Sequence, residues 1–241
     1  MEQLSPLLAC AVLKAEDRSF FRHHGVEWGN LWSATRGWLQ GRTRHGASTL
    51  TQQLARNLYF SPERTVHRKL RELLMARELE ATLHKRRILE LYLNTVEWGD
   101  GVWGASSASE HYFGKAPASL DAFEASFLAG LLAAPRRALV GDNAKRARAV
   151  QSRVLGQFRA SGLLEPRDYM RALMRMDMLH ASLERGQPLP EALLAARAPT
   201  EESRVPSPEP VLMDTVLWEE CGWERERVTA ALYSEMLHHG R

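Results

Sequence analysis

The stretch Glu63 to Glu80 reads ERTVHRKLRELLMARELE. It follows Ser61-Pro62, so it opens with a capping hydroxyl, a first-turn proline and an acid. Val66, Leu70, Leu73, Leu74 and Arg77 recur along one side, and Arg64, Arg68 and Glu72 along another. This spacing predicts a helix over residues 62–83, with Leu70, Leu73 and Leu74 turned to a core. Lys69 lies beside the charged face. That face reads either as an exposed, salt-bridged surface or as a basic rim for a pyrophosphate with one carboxylate inside it.

The same period runs outward in both directions. Leu4, Leu8, Ala11, Val12 and Ala15 fit one helix face, and Leu31, Trp32, Thr35, Trp38 and Leu39 fit another. Residues 88–93, 120–134, 144–160 and 166–183 also read as helices. No strong alternation marks a strand. A short hairpin fits the glycine-bearing loops at 41–48 or 95–104. The expected fold class is therefore mainly α. From Ala198 to Pro210 the chain reads APTEESRVPSPEP, a linker composition. It divides a domain at 1–197 from a C-terminal helical appendage at 211–241. No internal repeat is present.

A chain of 241 residues holds one domain with a sizeable core. A hydrophobic fraction of 44% and a charged fraction of 25% describe an ordinary globular protein and make overall disorder a poor expectation. A net charge of +3 is compatible with phosphate, nucleic acid or an anionic membrane and identifies none of them. The charge is clustered at Arg42 and Arg44, at 64–71, at 85–87 and at 136–153, while the tail after Pro199 is rich in Glu. Cys10 and Cys221, so far apart, read as no disulfide framework and no metal pattern and leave the redox compartment open, and Cys10 sits in an apolar run that predicts a core position. His23, His24, His67 and His84 lack ligand-like spacing, so no metal site is assigned. Trp28, Trp32 and Trp38 are expected in the core rather than on a sugar platform. No signal peptide is legible at the start, and the apolar runs 7–13 and 127–135 are too short to span a bilayer.

Three further segments carry candidate chemistry. EDRSFFRHHG, Glu16 to Gly25, sets adjacent acids among aromatics at the end of an apolar helix. A carboxylate there is suited to act as a general base once partly desolvated, although solvated acids at a helix end are commoner. GASTLTQQLARNLYF, Gly46 to Phe60, offers Ser48 or Thr49 as a cap and then Gln52, Gln53, Arg56 and Asn57. A helix N-terminus with hydroxyls and an arginine suits a phosphate or sugar, and equally suits an ordinary capped surface helix. KRRILELYLNTVEWGDGVWG, Lys85 to Gly104, reads as structure: Ile88, Leu89, Tyr92 and Leu93 pack, and Asn94 ends the helix.

Taken together and in order, these segments resemble the peptidoglycan glycosyltransferase family, the domain of bifunctional penicillin-binding proteins and of monofunctional glycan polymerases. The resemblance rests on Glu16-Asp17, Phe20, His23 and Gly25; on Gly46, Ser48-Thr49, Thr51-Gln52-Gln53 and Asn57; on Arg68-Lys69, Glu72 and Glu80; and on Ile88-Leu89-Glu90, Tyr92-Leu93-Asn94 and Gly99. It covers residues 5–180 and includes Tyr112 to Lys115 and the helix up to Pro135.

The resemblance implies a lysozyme-like, two-lobed helical domain with a central cleft. It implies lipid II as substrate, polymerised into β-1,4 glycan with inversion and release of undecaprenyl pyrophosphate. By resemblance Glu16 is the base and Glu72 the second acid. Asp17, Phe20, His23, Gly46, Ser48, Thr49, Gln52, Gln53, Arg56, Asn57, Arg64, Arg68 and Lys69 are the substrate-binding set. It allows Mg²⁺ or another divalent cation and requires no organic cofactor. The implied partners are lipid II, the growing glycan, the membrane surface and other cell-wall synthesis proteins, with no nucleic acid. The implied location is the periplasmic face of the cytoplasmic membrane, where 7–13 and the tryptophan-rich segment are candidates for an interfacial face. No SxxK motif occurs, which points to the monofunctional type.

Two positions depart from the family's pattern. Arg56 stands where a lysine is usual, and Ser33 where an arginine is frequent, with Arg36 one turn on. Two alternatives remain: a catalytically weak lipid II-binding scaffold, and a lytic transglycosylase or muramidase. The basic face at 64–69 disfavours the second, because a phosphate-free glycan does not need it. Steep salt dependence on DNA would mark a nucleic-acid binder.

Overall fold

A computed structural model describes residues 4–29, 32, 33, 36, 48–60 and 65–197. The expectations for Gly46, Arg64, Trp38, the linker at 198–210 and the appendage at 211–241 lie outside these residues. Among the described residues the protein is mainly α, with one two-stranded hairpin.

Helix α1 (Pro6–Glu16) starts behind Ser5, with proline in its first turn. It is buried almost all round, from Leu8 to Lys14. The Ser5 hydroxyl donates to Leu120 O at 3.0 Å, and Ser5 N–H donates to Pro117 O at 3.1 Å. These bonds fix the entry of α1 against the middle of the chain. Cys10 is in the core, as its apolar setting predicts. Residues 7–13 are buried or part-buried, so α1 offers no interfacial face; its apolar side is spent on packing.

Helix α2 (Leu50–Tyr59) is capped by Thr49, whose hydroxyl accepts Gln52 N–H at 3.2 Å. Helix α3 (Val66–Thr82) is capped in the same way by Thr65, which accepts Arg68 N–H at 3.1 Å. Helix α4 (Lys85–Thr95) buries Ile88, Leu89, Tyr92 and Leu93, as its period predicts. Strands β1 (Glu97–Gly99) and β2 (Val102–Trp103) then pair antiparallel, which realises the hairpin expected at 95–104.

Helix α5 (Ala105–Phe113) ends on Gly114 in the left-handed region. Helix α6 (Ala122–Leu131) is held by a full capping box between Asp121 and Glu124 and is buried on every side. It is the central element, and α1, α7 (Asp142–Ala160) and α8 (Pro166–Glu184) all pack on it. Gly130 lets α6 touch α7, since a Cβ there would meet Ala147 O at 2.9 Å. Helix α9 (Leu189–Ala195) closes the described chain against α8. It is absent from the sequence reading because Pro188 and Pro190 mask so short an apolar run.

Helix α3 corrects the sequence reading. Val66, Leu70 and Leu74 are 81, 55 and 67% exposed, while the buried residues are Glu72, Ala76 and Leu79. The core side of α3 takes a carboxylate because two cations meet it there, and an alanine because a loop backbone lies on it. The leucine stripe meets no protein surface among the described residues. The tryptophans correct it as well: Trp28 and Trp32 are 64 and 72% exposed. The core is already filled from other elements by Phe20, Tyr92, Trp98, Phe123 and Phe158.

The loop lying on α3 turns at Gly25, with φ 84°. A Cβ there would sit 2.7 Å from Ala76 O, which is backbone and has little room to yield. Gly25→Ala is therefore expected to lower unfolding stability by about 2–3 kcal/mol in urea denaturation, from strain plus clash.

Candidate active site

Glu16 is the last residue of α1 and is half-buried. Gln53 Nε2, on the first turns of α2, donates to its Oε2 at 2.8 Å. Gln53 Oε1 in turn accepts the Tyr92 hydroxyl at 3.0 Å. Burial pushes the Glu16 carboxyl above its ordinary value, and Asp17 beside it adds to the rise. The Gln53 amide, Arg153 of α7 and Arg56 of α2 pull in the other direction without cancelling it. The result is a carboxyl that takes a proton more readily than a solvated one, which suits a general base.

Asp17 faces away from this site and binds the fold together. Its Oδ2 accepts both His23 Nε2–H at 2.9 Å and Leu50 N–H at 2.8 Å. His23 Nδ1 accepts Gly25 N–H at 3.2 Å, which fixes the ring with its proton on Nε2. Gly25 O accepts the Thr49 hydroxyl at 2.6 Å and Gln52 Nε2–H at 3.3 Å. The helix-opening loop and the N-terminus of α2 are thus one hydrogen-bonded unit. Asp17, His23, Thr49 and Gln52 are all buried and serve to position it. Phe20 is fully buried and leaves no face for a substrate; Lys85 Nζ stands 4.5 Å from its ring.

A second carboxylate lies on α3. Glu72 is 2% exposed and meets Arg68 Nη1 at 2.7 Å and Lys69 Nζ at 3.1 Å. Lys69 also donates to Ser48 Oγ at 2.8 Å and to Gln52 Oε1 at 2.9 Å. All three ammonium protons are therefore used. Burial lowers the Lys69 pKa, while Glu72 opposes that fall. Arg68 Nε is buried and has no hydrogen-bond partner among the described residues. A part-buried guanidinium with a spare donor suits an oxyanion. Arg56 stands within electrostatic reach of both Glu16 and Lys69 and so bridges the two carboxylate sites. Asn57 follows it and is exposed, as is Arg36, while Ser33 is part-buried.

Glu80 supports the assembly from behind. Its Oε1 accepts from Thr51 Oγ1 at 2.6 Å and from Lys85 Nζ at 2.6 Å. Arg153 and Tyr92 are the site residues that the sequence reading missed as such. Tyr92 was legible as a packing ring, but nothing local announces its hydroxyl contact. Arg153 reaches the end of α1 from far along the chain, where Nη2 donates to Ala15 O at 3.5 Å.

No cluster of three His, Cys, Asp or Glu able to hold a metal occurs among the described residues. Both Glu72 oxygens already face cations, so these residues do not fit a resident divalent ion.

The sequence pattern of the Transglycosylase family matches residues 1–159. The chain is 47% identical over 136 residues to a biosynthetic peptidoglycan transglycosylase of Laribacter hongkongensis, covering 56% of this chain and 59% of that protein. It is 45% identical over 137 residues to the protein of that description from Rhodospirillum centenum, covering 57% and 59%. The match to the one from Alcanivorax borkumensis is 46% over 135 residues, covering 56% and 55%. The aligned part thus spans between half and two thirds of each relative.

The raised Glu16 pKa has a stability consequence. An acid whose folded pKa lies above its unfolded value stabilises the fold at low pH, and that contribution is lost as pH rises through the folded pKa. Glu16→Gln removes the buried charge. It is expected to melt at a higher temperature than the parent chain at pH 7.5, with the gap closing as pH falls below the ordinary carboxylate range. Thermal scans across pH check this, and a variant that melts lower at pH 7.5 contradicts it.

Proposed function

This chain belongs to the transglycosylase family, and on that premise we propose that it polymerises lipid II into β-1,4 glycan. The observation that carries the reading is the pairing of a half-buried, proton-accepting Glu16 with a separate cationic site around Glu72, bridged by Arg56. An acceptor hydroxyl and a departing pyrophosphate require those two environments.

In the step proposed, Glu16 takes the proton of the acceptor sugar's 4-hydroxyl. That oxygen attacks the donor's anomeric carbon as the carbon–oxygen bond to pyrophosphate breaks. The α-linked donor becomes a β-1,4 link in one displacement, and undecaprenyl pyrophosphate leaves with its electron pair. Arg68, with its free Nε, receives developing charge on the phosphates. Lys69 does so only by exchanging one of its three present partners. Gly46, Asn57 and Arg64 complete the substrate set by family pattern. Any Mg²⁺ would arrive with the pyrophosphate, as these residues do not hold one themselves.

A lipid-linked substrate requires a membrane surface, on the outer side where glycan is assembled. Among the described residues no helix is long and apolar enough to cross a membrane. The exposed stripe Val66, Leu70 and Leu74 is the docking face we assign. The end of α2 continues it: Leu58 and Tyr59 are exposed, and Arg71 of α3 stacks over Phe60 at 5.3 Å. Cell-wall synthesis proteins are the further partners this role implies.

Glycan synthesis from labelled lipid II, with and without moenomycin, the family's donor-site inhibitor, tests the reading. Moenomycin-sensitive polymer is expected, and Glu16→Gln should lower its rate by about 10²–10⁴-fold, the worth of a general base. Wild-type-like turnover in that variant would remove Glu16 as the base; lipid II binding without polymer would favour the scaffold. For the membrane face, Leu70→Glu with Leu74→Glu should reduce co-sedimentation with anionic vesicles several-fold while the melting temperature holds, because both residues are already exposed.

A further inference from the structure

We propose that Tyr92 is a positioning residue for Glu16, acting through Gln53. The inference rests on the reading of Glu16 as the base. Tyr92 is fully buried on α4, and its hydroxyl donates to Gln53 Oε1 at 3.0 Å. Gln53 then presents Nε2 to Glu16 Oε2 at 2.8 Å. The two bonds run in one direction, phenol to amide and amide to carboxylate.

That direction decides how the amide lies. A glutamine side chain can be turned end for end, and its two ends differ only in hydrogen bonding. With oxygen toward Tyr92, the amide offers protons to Glu16. Turned over, it would set its oxygen against a carboxylate, and no proton would lie between them. The acceptor-only carboxylate and the phenol donating from the other end together hold the first orientation. Burial raises the Tyr92 pKa well above its ordinary value, and the Glu16 charge adds to the rise. The phenol therefore stays protonated, and remains a donor, across the range in which Glu16 titrates.

Among the described residues, the groups facing Glu16 are Asp17 next to it in the chain, Gln53 and Arg56 from α2, Arg153 from α7 and, one bond removed, Tyr92 from α4. Gln53 alone among the described residues gives it a side-chain hydrogen bond. Loss of the phenol leaves Gln53 Oε1 without that bond, and the amide is held from the Glu16 side alone. The donor to the carboxylate is then less firmly oriented, and burial is less strongly opposed by that bond. The sign is upward: Glu16 should protonate at a higher pH in Tyr92→Phe.

The test uses the full chain with carbon-13 in the glutamate carboxyl groups, its Glu16 resonance identified by loss in Glu16→Gln. Titration of the parent and of Tyr92→Phe is expected to show the Glu16 midpoint displaced upward in the variant, with the melting temperature little changed. In glycan synthesis, the acid limb of kcat should move to higher pH, and kcat near neutrality should fall about 10-fold while KM holds, the scale of one lost bond to a charged group.

A second comparison separates relay from packing. In a Gln53→Leu background, Tyr92→Phe should cost nothing further, because the phenol then has no amide to orient. An unmoved Glu16 midpoint, or an undiminished cost of Tyr92→Phe in the Gln53→Leu background, would overturn the proposal. Failure of the functional reading looks different: the parent chain makes no polymer, while the titration still reports on Tyr92.

Discussion

One carboxylate oxygen holds the site together. Asp17 Oδ2 accepts from the His23 ring and from the first amide of α2, and both bonds are buried. It joins the end of α1, the loop that follows and the N-terminus of α2 at a single atom. An aspartate at a helix N-terminus meets unpaired amides and favourable partial charge, so this oxygen is well placed. The consequence for Glu16 is geometric. With its neighbour anchored inward, the Glu16 side chain points the other way, toward Gln53. Adjacent acids in sequence thus become one structural and one chemical group.

The two glutamates of the site are set apart by their surroundings. Glu16 has burial against it and one oriented amide, whereas Glu72 has two cations within ion-pair distance. Burying an ion pair is costly unless its remaining hydrogen-bonding groups are also met. Around Lys69 they are, through Ser48 and Gln52. Ser48 and Gln52 belong to the segment that also carries Gln53. One short segment therefore acts on both acids, on Glu72 by way of Lys69 and on Glu16 through Gln53.

How much of this was legible follows from how local each signal is. The longer helices were, since a period of 3.6 is written into any window of a dozen residues, whereas the short α5 and α9 were not. The end of α1 and the cap of α2 were legible too, because Ser, Thr and Asp there have local jobs. The burial of α3 was not. Its leucines are the more regular stripe, and only contacts from Ser48, Gln52 and Gly25 make Glu72 and Ala76 the inward residues. The site's first members emerged from the order of four motifs. Tyr92 and Arg153 escaped for opposite reasons: the first looked fully accounted for as a core ring, and the second is separated from Ala15 by 138 positions.

The attachment of α1 also bears on how the chain comes to be folded. This helix is buried almost all round, and its partners α6 and α7 lie more than a hundred residues further on; the Ser5–Leu120 bond alone closes a separation of 115. As the chain emerges, α1 lacks its main packing partners until residues near 120–155 follow. Until then its apolar surface is incompletely covered, open to aggregation or to a holding chaperone. The carboxylate at its end takes up its place only when that late closure occurs. A truncated or stalled product would therefore carry the motif sequence of the site without the packing that seats the end of α1.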